Sequence, residues 1–151
     1  MLTAAAPTAR ILIAADAPLE ALALEDMLRG AGYCAVRVTS DAREIAPLLG
    51  KWPYALLVLD MNIRPLNSLA MLEYLAGHVN QHHLAVLALT DADDEVTQDR
   101  ALGLGAADVL SRPLTRDETI KRVRAALASL SEPRTDDVVM RAVSKRFTPM
   151  M

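Results

Sequence analysis

Five short apolar runs punctuate the sequence, and each is followed by a longer stretch of helical periodicity. The runs are Ile11 to Ala15, Cys34 to Val38, Tyr54 to Leu59, Leu84 to Leu89 and Asp108 to Ser111. Successive side chains of a strand point to opposite faces, and these runs are apolar at odd and even positions alike. Such strands have to be covered on both sides, so the alternation predicts βα units around a parallel sheet sandwiched between helices.

The intervening segments carry their own start and stop signals. Pro18 suits the first position of a helix, where a missing N–H costs nothing, and that helix is expected to end before Gly30 to Gly32, with Leu19, Leu22 and Ala23 facing the sheet. A second helix is expected from Asp41, which has capping-box spacing to Glu44, with Pro47 kinking or shortening it. Further helices are expected over Ser68 to Ala76, Asp93 to Gly103 and Arg116 to Leu130, the last with Ile120, Val123, Ala126, Leu127 and Leu130 in one stripe. Pro133 and its neighbours break the pattern, which divides the chain into a domain over 10–130 and a tail over 131–151. In the tail, Val139, Val143 and Phe147 fall on one face of a short amphipathic helix.

Composition removes several classes of function. At 52% hydrophobic and 23% charged residues, intrinsic disorder of the whole chain is excluded. A net charge of −3 offers no broad basic surface for nucleic acid, and Trp52, Phe147, Tyr33, Tyr54 and Tyr74 are too few for stacking platforms. The longest apolar runs are far shorter than the roughly 20 residues that cross a bilayer, and no signal-peptide pattern precedes Asp16, so a cytoplasmic protein is expected, with no membrane and no nucleic-acid partner. The single cysteine, Cys34, permits no internal disulfide and reads as a small core residue. His78, His82 and His83 lack the accompanying acids or cysteines of a metal site and read as surface residues in a helix-to-strand connection. Gly103 and Gly105 precede a strand rather than a helix, so no dinucleotide fingerprint is met, and no Ser-His-Asp arrangement suggests an enzyme.

Open parallel sheets bind ligands outside the carboxyl ends of their strands. The residues there are Asp16, Asp60, Thr90 and Arg112, after strands one, three, four and five. Carboxylates supply hard oxygen ligands for a divalent cation, while a hydroxyl and a guanidinium bind anionic oxygens, so the set suits a phosphoryl group and its metal. Plainer roles compete: Asp16 as a helix cap near Pro18, Thr90 as a cap of the next helix, and Arg112 as a permanent internal cation paired with Asp60 or Asp16.

The chain resembles the receiver domains of bacterial two-component response regulators over about Arg10 to Leu130. The resemblance rests on ordered motifs: Ile-Leu-Ile-Ala-Ala-Asp-Ala-Pro-Leu (11 to 19), Ala-Gly-Tyr (31 to 33), Leu-Leu-Val-Leu-Asp-Met-Asn (56 to 62), Ala-Leu-Thr (88 to 90), Gly-Ala-Ala-Asp (105 to 108) and Ser-Arg-Pro-Leu (111 to 114). It implies a flavodoxin-like, doubly wound five-stranded parallel sheet in the order 2-1-3-4-5. It further implies that Asp60 accepts a phosphoryl group from a histidine kinase or phosphotransfer protein, that Asp16, Asp60 and the backbone carbonyl of Asn62 hold Mg²⁺, and that Thr90 and Arg112 contact the phosphoryl oxygens. Output would pass through a downstream protein partner or a homodimer, by way of the face formed by the fourth helix, fifth strand and fifth helix.

Several positions depart from the family pattern. Ala15 stands where receivers usually carry the first of two adjacent acids, which should weaken Mg²⁺ binding. Arg112 replaces a lysine before Pro113, and that peptide bond is expected to be cis as in the family. Arg64, Pro65 and Ser68 alter the loop after Asp60, and Val109 replaces an aromatic residue. These departures define an alternative, a degenerate receiver that binds a protein or a small anionic ligand without phosphorylation. A flavodoxin-like flavin carrier is disfavoured, because no phosphate-binding loop lies between Ala15 and Glu20.

Overall fold

The structure is a computed structural model and describes residues 8–65, 67–82 and 84–130, with the backbone alone for 77–82. The strands are β1 (Arg10–Ala14), β2 (Ala35–Thr39), β3 (Leu56–Asp60), β4 (Ala85–Asp91) and β5 (Asp108–Arg112). All neighbours pair in parallel, in the order β2-β1-β3-β4-β5. The helices are α1 (Pro18–Gly30), α2 (Ile45–Lys51), α3 (Ser68–His82), α4 (Glu95–Gly103) and α5 (Arg116–Ser129).

The all-apolar strands do what their pattern requires. Alternate residues feed two separate cores: Ile11, Ile13, Leu56, Val58, Leu87 and Leu89 pack with α1 and α5, whereas Leu12, Ala14, Leu57, Leu59, Val86 and Ala88 pack on the opposite face. Each fully buried Leu or Ile in these layers contributes on the order of 1.5–3 kcal/mol. β1, β3 and β4 are the interior strands of the sheet, which explains why they are the most uniformly buried.

The expected face of α1 is wrong. Ala21, Leu24 and Leu28 are buried, whereas Leu19 and Leu22 are 83% and 54% exposed and Ala23 is exposed too. This Ala- and Leu-rich helix carries two apolar stripes at helical spacing, and only packing against the sheet selects between them. The helix ends in a turn at Gly32, whose φ of 104° suits glycine. Cys34 is exposed rather than in the core, because β2 begins only at Ala35.

Asp41 and Glu44 form no capping box. Asp41 Oδ1 accepts from the Arg43 N–H at 2.9 Å, while the Glu44 carboxylate accepts from the Thr39 hydroxyl. Residues Ala42–Glu44 make a 3-10 turn, and α2 starts afresh at Ile45, so Pro47 falls within its first turn, where its lack of an N–H is harmless. Helix α3 continues past Ala76 to His82, because glycine at 77 weakens a helix without ending it. His78 and His82 therefore belong to the α3 backbone rather than to a connection. Their side chains, His83 and the whole of 131–151, including the stripe Val139, Val143 and Phe147, lie outside the described residues.

Candidate functional site

The carboxyl edge of the sheet gathers the charged groups. Asp60 is the last residue of β3, Thr90 the last but one of β4, Arg112 the last of β5, and Asp16 follows β1 by two residues. The strands thus run further than their apolar stretches, since a strand end can carry a polar residue once it reaches the crevice.

The Asp60 side chain is only 3% exposed. Its Oδ1 accepts from the Asn62 N–H at 2.9 Å and pairs with Arg112 Nη2 at 3.2 Å, and its Oδ2 accepts from the Asp16 N–H at 3.4 Å. The pairing with Arg112 and the backbone donors offset the cost of burying a carboxylate. Ser68, the first residue of α3, is buried and donates its hydroxyl to the Asp60 carbonyl at 3.2 Å, so the altered loop is tied back to the acid it follows. Asn67 Oδ1 accepts from the N–H groups of Leu69 and Ala70, which places the start of α3 there. The Arg64–Pro65 and Arg112–Pro113 bonds are both cis, the second as expected.

The plainer roles fall away for two residues. The residue capping α1 is Ala17, without a side-chain bond, so Asp16 is not its cap, and α4 is capped by Asp94 accepting from the Thr97 N–H at 3.1 Å, so Thr90 is not its cap. Thr90 is instead 1% exposed, with a hydroxyl that has no hydrogen-bond partner among the described residues. A buried orphan hydroxyl costs on the order of 1–3 kcal/mol; Thr119 in α5 carries another, and Thr90 differs from it in standing at the strand end beside Asp60.

Arg112 does pair with Asp60, yet its stronger contacts are ones the sequence did not single out. Nε and Nη2 grip the two carboxylate oxygens of Glu20 at 2.8 and 2.7 Å, and Nη1 reaches Asp91 Oδ1 at 3.1 Å. The Glu20 hydrogen bonds drive the Arg112 pKa above its ordinary range, partial burial opposes them, and Asp60 adds to the rise. The guanidinium is a permanent cation. Asp91 is the register partner of Arg112 on the neighbouring strand, and Glu20 lies in the first turn of α1. The available signals were the i+4 spacing from Asp16 to Glu20 and the position of Asp91 directly after Thr90.

Among the described residues no group of three His, Cys, Asp or Glu side chains is placed to hold a metal. What remains is smaller: Asp60, with the backbone N–H groups of Asp16 and Asn62 on its two carboxylate oxygens and Asp16 itself exposed, so that the Asp16 carboxylate and the Asn62 carbonyl belong to residues adjoining it. That set fits Mg²⁺, an ion that keeps several waters and takes only one or two carboxylates beside phosphate oxygens. Beside this crevice runs an open groove of about 870 Å³ with Leu19, Ala23, Met27, Pro113 and Leu114 on its walls. Val109 packs in the core with Ala101 and Ala106. No helix among the described residues is long and apolar enough to cross a membrane.

Comparison with known proteins agrees with this arrangement. The family model of the response regulator receiver domain matches residues 11–124. The chain is 26% identical over 121 residues to a probable chemotaxis protein CheY of Rhizobium etli, covering 80% of this chain and 91% of that one. It is 28% identical to the aerobic respiration control protein ArcA of Escherichia coli, over 80% of this chain but only 49% of ArcA, so it spans about half the length of that relative. A crystal structure of a putative response regulator from Chloroflexus aurantiacus superposes with a TM-score of 0.75 at 28% identity, covering 80% of this chain and 98% of that one. None of these relatives lends support to the degenerate reading. The chain belongs to the response regulator receiver domain family.

Proposed function

We propose that the chain is a phosphoacceptor receiver whose nucleophile is Asp60. A carboxylate oxygen of Asp60 attacks the phosphorus of a phosphohistidine on a histidine kinase or phosphotransfer protein. The bond from phosphorus to the imidazole nitrogen breaks with its electron pair left on nitrogen, and an acyl phosphate forms on Asp60. The observation that carries this reading is the buried, unpartnered hydroxyl of Thr90 at the strand end next to Asp60, a donor without an acceptor until an anionic oxygen arrives.

Asp16, Asp60 and the Asn62 carbonyl are the residues that would hold Mg²⁺, which when bound neutralises charge on the transferring group. Arg112 supplies a second, fixed positive charge at the same edge. The open groove shares Arg112 with the Asp60 site, and its apolar wall, which includes the exposed Leu19, offers a phosphodonor protein contact area beside the acceptor. Output passes to a downstream protein partner, or a second copy of the domain, through the α4-β5-α5 face; α4 exposes two large apolar side chains, Val96 and Leu102. We assign the domain to residues 10–130, with 131–151 as an appended tail, and place it in the cytoplasm.

The test is intact-mass spectrometry after incubation with Mg²⁺ and acetyl phosphate, beside the Asp60→Asn variant. One phosphoryl adduct on the wild-type chain and none on the variant is expected. A folded wild-type chain that takes no adduct from acetyl phosphate or from phosphorylated histidine proteins overturns the reading.

A further inference from the structure

Arg112 holds two acids at once but grips them unequally. The Nε and Nη2 edge of a guanidinium is the fork that matches a carboxylate, and here Glu20 fills it with bonds of 2.8 and 2.7 Å. Nη1 is turned to Asp91 at 3.1 Å. Asp60 therefore receives a single, longer contact from Arg112, 3.2 Å from Nη2 to Oδ1, and among the described residues its Oδ2 accepts only from the Asp16 N–H at 3.4 Å. Glu20 is 20% exposed on its side chain and Arg112 23%, so neither partner is loosened by full hydration.

We propose that Glu20 is a positioning residue: by occupying the Arg112 fork it prevents the guanidinium from closing on both oxygens of Asp60, and so keeps Oδ2 open to a divalent cation. The inference rests on the Mg²⁺ site of the proposed function, though its test does not require phosphoryl transfer. Without Glu20 the fork is free and the nearest buried carboxylate is Asp60. Two charge-assisted hydrogen bonds would then fill both oxygens, and the positive charge, no longer neutralised by Glu20, would also repel the incoming ion. Arginine in place of the family's lysine creates the hazard, since a planar guanidinium matches both oxygens with two parallel bonds where an ammonium acts as a point charge, and Glu20 relieves it. The acid absent at Ala15 is not replaced as a ligand, because Glu20 acts on the cation instead.

The experiment is a Mg²⁺ titration of the full chain, followed by amide NMR shifts of Asp60 and Asn62, in wild type, Glu20→Ala and Glu20→Ala combined with Arg112→Lys. The Glu20→Ala variant is expected to bind Mg²⁺ about tenfold more weakly, the effect of one charge-assisted hydrogen bond gained at Asp60. Lysine keeps the charge and lacks the fork, so the double variant should return to within about threefold of wild type, well short of the factor that such a bond commands. In metal-free protein the Arg112 Nε–H resonance should move in Glu20→Ala and report contact with Asp60. Unchanged Mg²⁺ affinity in Glu20→Ala overturns the proposal, as does a double variant as weak as the single one, or a wild-type chain that shows no saturable Mg²⁺ shift. An Asp60-dependent phosphoryl adduct together with unchanged Mg²⁺ affinity would remove this inference and leave the phosphoacceptor reading standing, whereas weakened Mg²⁺ binding without any adduct would do the reverse.

Discussion

The two ends of the sheet use similar side chains to different effect. At the carboxyl end Asp60 is nearly buried and Arg112 is shared among Glu20, Asp60 and Asp91. At the amino end Arg10 and Lys51 lie over the ring of Trp52, 4.8 and 5.8 Å from its centroid, beside Tyr54 and Arg37 in a small groove. There the cations rest on a ring that is itself 38% exposed, and water screens them. Charge at one end is desolvated and mutually dependent, while at the other it is solvated and replaceable. Parallel strands enforce this difference, because every strand delivers its last residue and every following helix its first turn to the same edge.

The largest effect should come from removing the shared cation. Arg112→Ala leaves the Asp60 carboxylate buried without its charge partner, and by analogy with broken buried pairs it is expected to cost about 3 kcal/mol in chemical denaturation. Adding Asp60→Asn should recover most of that loss. A cost no larger than that of an exposed pair would show that the carboxyl end is as well solvated as the amino end.

A smaller effect of opposite sign is expected at Thr90. Valine has nearly the same shape and no hydroxyl, so Thr90→Val should raise stability by up to about 1 kcal/mol, since it removes a buried orphan group. The same change should cut the yield of phosphoryl adduct several-fold. Loss of stability with an unchanged yield would mean that the hydroxyl serves the fold rather than the site.

The smallest effect belongs to the amino end. Arg10→Ala should cost about 0.5–1 kcal/mol, the range of an exposed cation over an aromatic ring, and leave adduct formation unchanged. A measurable drop in phosphorylation would indicate that the two ends are coupled through β1.

The fold was legible because its strands are apolar on both faces, a pattern that admits few architectures, and the motif residues Asp16, Asp60, Asn62, Thr90 and Arg112 stand at one edge as expected. Legibility failed where two local answers were equally good. Helix α1 offers two apolar stripes, and Leu19 and Leu22 lost to Ala21, Leu24 and Leu28. Cys34 continues an apolar run and yet falls just outside β2. Glu20 escaped notice because an acid in the first turn of a helix is ordinarily a solvated residue, and Asp91 because it stands one position beyond Thr90, the hydroxyl expected at that strand end.

Periodicity and residue type, by themselves, determined the number and order of strands and helices, the parallel sheet and the acid at the end of β3, since these follow from which side chains water rejects along the chain. Tertiary structure alone decided which face of α1 is buried and which of several nearby acids holds the Arg112 fork. Both depend on how elements distant in sequence are turned toward one another, and Arg112 and Glu20, 92 residues apart, meet only once β5 and α1 pack at the same edge.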